Sequence, residues 1–391
     1  DALKWSAAVA AVLVIMAIMP AKHQWFSHDR SQDYVPRDYA YNILAGLEPD
    51  AIIFTNGDND TYPLWYIQMV EGFRPDVNIA NLQLLNTDWY IMQLRDRKPA
   101  MPISYSDEEI RRLRPMALKG GGVAWKKDLM IQHIIQETNW KRPIYFAVTV
   151  PHEAWNPYAE YLEMQGMARK LVTNKKKYQT SEFLLRRNFE EIFEFRGILR
   201  PDGIRDETTF KSQYTQGMFQ NFAVAAMELA RLSALRRDYE EALKWTELTA
   251  QLKPDFDFPD RVLGLYYART GQVERGIGHY ERILETEPHR GELWLGLARI
   301  YSENDEYEKS IAVLRRGMQA VPGHRDIYAN GFYTSAKAGR LGDAKSFIQA
   351  WLDRHPGDKE FRQLLENFDQ VIYDEFGIGE PPDTSGRTGQ K

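Results

Sequence analysis

Residues 291–322 read GELWLGLARIYSENDEYEKSIAVLRRGMQAVP, two stretches of helical apolar spacing joined by a polar turn and closed by Pro322. Trp294, Leu297, Ala298 and Tyr301 fall at the i, i+3, i+4, i+7 positions of one helix face, and Leu314 marks the second helix. Proline ends the unit because it supplies no N–H to continue the hydrogen-bond ladder. The same residue recurs at Pro254, Pro288, Pro322 and Pro356, a constant spacing of 34 residues.

A helix pair repeated every 34 residues has the period of the tetratricopeptide repeat. The neighbouring units match less fully. The second carries Leu263, Gly264, Tyr267 and Tyr280, the first Leu229, Ala230, Ala242 and Ala250, and the fourth Tyr328, Ala344 and Ile348. Small residues at these places let paired helices approach closely. We expect four repeats and a closing helix over residues 220–375, with a loose tail at 376–391.

The remainder of the 391 residues is long enough for further domains, and 43% hydrophobic with 27% charged residues are ordinary globular values. A net charge of -5 argues against a nucleic-acid partner. Cysteine is absent, which excludes disulfides, thiolate metal sites and cysteine nucleophiles, and the 8 histidines show no metal-ligand spacing. No cofactor and no metal are expected.

From Trp5 to Ala21 the chain reads WSAAVAAVLVIMAIMPA, without a charge and bounded by Lys4 and Lys22. Trp5 and Trp25 stand about 30 Å apart on a helix, close to the thickness of a hydrocarbon core. The sequence therefore predicts a single N-terminal membrane-spanning helix within residues 1–29, in contact with the bilayer from Trp5 to Trp25. The bulk of the chain would then be periplasmic or otherwise extracytoplasmic.

Between anchor and repeats, short β-branched runs at Ala51 to Thr55, Val77 to Leu82 and Ile144 to Val150 alternate with amphipathic stretches. This predicts a small parallel-sheet α/β domain over 30–155, followed by a helical connector over 156–219 that includes EYLEMQGMARKLV and SEFLLRRNFEEIFEF. The fold class is α/β plus all-α. The loop FTNGDND after the first strand carries Asn56, Asp58 and Asp60, the loop LLNTDWY after the second carries Asn86 and Asp88, and TVPHEAW after the third carries His152 and Glu153. Open α/β sheets bind ligands at this strand edge, where carboxylates can hold a divalent cation or act as acid and base. The competing reading is local: Asn, Asp and Thr at a strand-to-helix turn cap the helix, and this is the favoured one. KGGGVAWKK at 119–127 lacks phosphate-loop spacing, and Lys175 to Lys177 read as a solvated face.

Together YVPRDYAYNIL (34–44), AIIFTNGDNDTYPLWYIQMVEGFRPDV (51–77) and NLQLLNTDWYIMQLR (81–95) resemble a family of bacterial membrane proteins similar to the GT-C-type protein O-mannosyltransferases. The resemblance implies an extracytoplasmic domain with these motifs, often followed by tetratricopeptide repeats. It transfers no catalytic residue, because the polytopic half that carries the catalytic acid in such enzymes is not in this sequence. Two functions follow as expectations. The preferred one is a non-catalytic, membrane-anchored scaffold subunit that docks through its repeats on a partner protein or an integral-membrane complex, energy-transducing complexes among them. The alternative is a glycan-binding or glycan-processing domain that uses the strand-end Asp cluster.

Overall fold

The computed structural model describes residues 2–117, 121–175 and 179–379. The chain forms two compact units, Asp1–Leu232 with Leu248–Pro254, and Ser233–Glu247 with Asp255–Lys391.

The first unit begins with α1 (Ala2–His28) and α2 (Val35–Ala45), the latter started by Pro36 in its first turn. Strand β1 (Ile52–Thr55) leads into α3 (Asp58–Met69), and β2 (Asn78–Asn81) leads through a short turn into α4 (Asp88–Asp96). After α5 (Asp107–Arg112) comes a ribbon of β3 (Met116–Ala117) with β4 (Val123–Ala124), then α6 (Lys126–Thr138) and β5 (Ile144–Ala147). A single turn, α7 (His152–Trp155), precedes β6 (Leu162–Gln165), β7 (Ala168–Leu171), β8 (Gln179–Thr180) and α8 (Glu182–Arg187).

The main sheet has the order β2-β1-β5-β7-β6-β8. Ile52, Ile53 and Phe54 pair in parallel with Asn78, Ile79 and Ala80 on one side and with Ile144, Tyr145 and Phe146 on the other. Every residue of β1, β2 and β5 is buried, as expected of parallel strands covered on both faces. The rest departs from an all-parallel sheet, since β7 runs antiparallel to both β5 and β6.

Two expectations are corrected here. EYLEMQGMARKLV is not helical but forms the β6–β7 hairpin. Its apolar residues Met164, Met167, Ala168 and Leu171 have helical spacing, but Gly166, at φ 68, inserts a left-handed turn that reverses the chain and buries them in a hairpin. The open edge of β5 then supplies the ladder. The second correction concerns the membrane. Among the described residues no helix is long and apolar enough to cross one, which overturns the single-pass anchor, its lipid contact from Trp5 to Trp25 and the extracytoplasmic placement built on it. The uncharged run of seventeen residues covers only about 25 Å at 1.5 Å per residue, short of a core of about 30 Å. Beyond it the helix adds Ala2 to Lys4 and Lys22 to His28, among which Lys4, Lys22, His23, Gln24, Ser27 and His28 are polar or charged. The side chains of Lys4, Ala17 and Pro20 to His23 lie outside the described residues, as do Lys119 and Gly120, Lys176 and Lys177, and the tail from residue 380.

The repeat helices are α9 (Gln213–Leu235), α10 (Tyr239–Leu252), α11 (Asp257–Arg269), α12 (Val273–Thr286), α13 (Gly291–Glu303), α14 (Tyr307–Ala320), α15 (Arg325–Lys337) and α16 (Leu341–Arg354). They are followed by α17 (Lys359–Glu366) and α18 (Phe368–Phe376). Helices α10, α12, α14 and α16 each end two residues before a proline of the ladder. The intervening residues Glu287, Val321 and His355 share one conformation, φ near -130 and ψ near 64, outside the helical region that a following proline disfavours. Within the second unit Arg269 meets Glu303 at 2.9 Å and Arg290 meets Asp260 at 3.0 Å, bridging the second and third repeats, and Arg325 meets Asp358 at 3.0 Å, tying α15 to the start of α17.

Candidate functional site

The FTNGDND loop is decided by Gly57, whose φ of 78 and ψ of 179 suit only glycine and let the chain leave β1 and enter α3 abruptly. No side chain caps this helix; instead the Thr61 hydroxyl donates to the Gly57 carbonyl at 2.8 Å. Asp58 and Asn59 face solvent while Asp60 is 1% exposed.

Asp60 is thus a buried carboxylate. The Tyr39 hydroxyl from α2 donates to its Oδ1 at 3.1 Å, and the Thr149 hydroxyl, from the loop after β5, donates to its Oδ2. The Asn56 N–H reaches the same Oδ2 at 3.5 Å. Tyr39 in turn accepts from the Asn221 amide at 2.9 Å. Burial raises the pKa of Asp60, while the bonds from Thr149, Tyr39 and Asn56 pull it back. Burial, followed by the charge of Asp60, holds the Tyr39 phenol well above its ordinary value.

The neighbouring strand ends join the same mesh. Asn81, at the end of β2, donates to the Thr61 hydroxyl at 2.8 Å and accepts from the N–H groups of Gln83 and Leu84, and Gln83 donates to Asn56 at 3.3 Å. Asp88 is directed elsewhere, to the ammonium of the nearly buried Lys126, which also donates to the Ile110 carbonyl at 3.1 Å. Asn86 accepts from the Lys127 N–H at 3.1 Å at the start of α6. His152 and Glu153 are exposed, and the His152 ring stands edge-on to Trp155 at 4.5 Å. The edge therefore links Asn56 to Asp60, places Asn86 and Asp88 on α6, and leaves His152 with Trp155. Among the described residues no group of three or more His, Asp or Glu is placed to hold a metal ion.

Sequence reasoning missed Tyr39, Thr149 and Asn221, which complete the Asp60 network. Tyr39 and Thr149 lie inside quoted motifs, but nothing local distinguishes Asn221, 182 residues from Tyr39. It also missed Asp38, 0% exposed, whose carboxylate receives Arg196 and Arg37. Melting temperatures of wild type and Asp58→Asn are expected to stay unchanged in millimolar calcium or magnesium, because Asp60 is already saturated by donors and Asp88 is neutralised by Lys126. A metal-dependent rise in wild type that is lost in Asp58→Asn and Asp88→Asn would show that the edge binds cations.

A model of the "TMEM260-associated domain 2" matches residues 36–119 and 101–187, and a tetratricopeptide repeat model matches residues 267–330. Among curated proteins, the "TPR repeat-containing protein YpiA" of Bacillus subtilis is 21% identical over 208 residues, 47% of this chain and 48% of that protein. The "Protein O-mannosyl-transferase TMEM260" of Mus musculus is 30% identical over 73 residues, 19% of this chain and 10% of that protein. The chain thus spans about half the length of the first relative and a tenth of the second. Among solved structures, MamA from Desulfovibrio magneticus RS-1 aligns with 39% of this chain and 85% of its own, at 19% identity and a TM-score of 0.29. The type IV pilus biogenesis factor PilW aligns with 42% of this chain and 86% of its own, at 15% identity and a TM-score of 0.31. The chain carries a TMEM260-associated, O-mannosyl-transferase-like domain followed by C-terminal tetratricopeptide repeats.

Proposed function

We propose that the chain is a scaffold whose repeats hold a partner protein. The observation that carries this reading is the groove between α13 and α15, about 170 Å³, lined by Leu295, Arg299, Ser302, Asn330 and Thr334. A cation, hydroxyls and an amide around an aliphatic floor suit the side chains and main chain of a bound segment. An integral-membrane assembly is the partner class favoured by the resemblance to O-mannosyl-transferases. A second reading, glycan binding at the strand edge, draws on the mouse relative and on the solvent-facing Asp58 and Asn86.

Crosslinking and copurification of the full chain separate the two. Arg299→Glu combined with Asn330→Ala is expected to lose a protein that the wild type retains, while Asp58→Asn keeps it. Retention by the groove variant together with loss in Asp58→Asn would reverse the assignment.

A further inference from the structure

Helix α3 is apolar on two faces. Its inner face buries Leu64 and Ile67, whereas Tyr62, Tyr66 and Met69 are 56%, 49% and 65% exposed on the other. A helix with an apolar outer face ordinarily meets something there. The outer face borders a cleft of about 520 Å³, whose walls are completed by Pro63, by Pro36 at the start of α2 and by Tyr34, itself 40% exposed.

The charges around this cleft define what enters it. Arg37 is already paired with Glu71 and Glu194, each at 2.9 Å, and Arg196 with Asp38 and, at 3.0 Å, Glu194. The Arg196 guanidinium also lies over the Tyr34 ring, 4.5 Å from its centroid. Both cations are thus satisfied, which disfavours an anionic ligand. Asp33, which lines the same cleft, has one carboxylate oxygen shielded from solvent and without a hydrogen-bond partner. Lys211 is close enough to feel the charge of Asp33, but its ammonium donates to the carbonyls of Asp206 and Thr209. Of the charged groups on the wall, Asp33 is the one without an ion pair among the described residues.

We propose that this cleft binds an extended, proline-rich segment of a partner protein that carries an arginine or lysine beside its prolines. Tyrosine rings alternating with pyrrolidines form the kind of apolar trough into which a polyproline helix lays its ridges, at little entropic cost because that helix is preformed. The basic side chain answers Asp33 through its other carboxylate oxygen, since the unpartnered one is shielded from solvent. A sugar is less well served, since its many hydroxyls call for several free polar partners, and the other charged groups here are held in ion pairs. The assignment is independent of the repeat groove, which belongs to the other unit.

The test is fluorescence anisotropy of the full chain with a labelled peptide of Pro-x-x-Pro repeats preceded by arginine. Saturable binding is expected, weakened at least about tenfold in Tyr62→Ala with Tyr66→Ala and by alanine in place of the peptide prolines. Asp33→Asn is expected to lower the affinity of the basic peptide to that of its glutamine twin, which the wild type binds less well. The tyrosines are half exposed, so the variants should fold, and the peptide substitutions give the same information without altering the protein. No saturable binding, equal affinity in the tyrosine variants, or displacement of the peptide by manno-oligosaccharide would overturn the proposal, the last in favour of a glycan site.

Discussion

Tyr280→Ala is expected to destabilise the repeat unit by about 3–5 kcal/mol in urea unfolding, the range for removing a fully buried aromatic side chain. Tyr280, on α12, is 0% exposed. Its ring fills space that two glycines leave open: a Cβ at Gly264 of α11 would lie 2.5 Å from the ring, and one at Gly296 of α13 would lie 2.7 Å from it. The hydroxyl donates to the Arg261 carbonyl at 2.7 Å and accepts from the Leu265 N–H at 3.3 Å. One side chain therefore joins three helices of two successive repeats, and its loss leaves a cavity that rigid helices cannot close. Tyr280→Phe keeps the ring and should cost only about 1 kcal/mol for the hydrogen bonds. A loss under about 1 kcal/mol for Tyr280→Ala would mean that the junction is not packed in this way.

The second large effect is expected at Asp60. Asp60→Ala removes the acceptor of two buried or part-buried hydroxyls, Tyr39 and Thr149, and should cost about 2–3 kcal/mol. That exceeds the cost of about 1 kcal/mol or less that a solvent-facing capping turn would give. Asp60→Asn carries in addition a characteristic pH dependence. The unfolded carboxyl titrates near about 3.9, and burial raises the folded value above it. Between the two values the folded state holds more protons, so the contribution of Asp60 to stability is complete below the unfolded pKa and falls as pH rises through the folded one. The carboxamide of the variant has no proton to lose over this range. The destabilisation caused by Asp60→Asn is therefore expected to be largest in mild acid and to shrink towards neutral pH. Unfolding titrations of both proteins at a series of pH values check this, and a gap that stays constant or widens with pH would contradict it.

The repeats were legible because their signals are local and periodic. Proline supplies no N–H to continue a helix ladder, so its constant spacing, with small residues such as Gly264 and Ala298 between, declares a helix-pair array before any contact is known. The three parallel strands were legible for a similar reason, since continuous burial on both faces selects unbroken runs such as Ile52–Thr55 and Ile144–Ala147.

The hairpin β6–β7 was not legible, because its apolar residues have helical spacing and only the open edge of β5 makes strand pairing the better use of that segment. The membrane helix read from Trp5 to Ala21 was overturned because, among the described residues, no helix combines the length and the apolarity that a span needs. At the strand edge the sequence by itself determined that Asn56, Asp58, Asp60, Asn86 and Asp88 follow strands. Only the tertiary structure decided that Asp60 turns inward to Tyr39 and Thr149 while Asp88 pairs with Lys126. The physical reason is that an acid's role is set by the donors and solvent around it, and those come from α2, α6 and the loop after β5, far away along the chain.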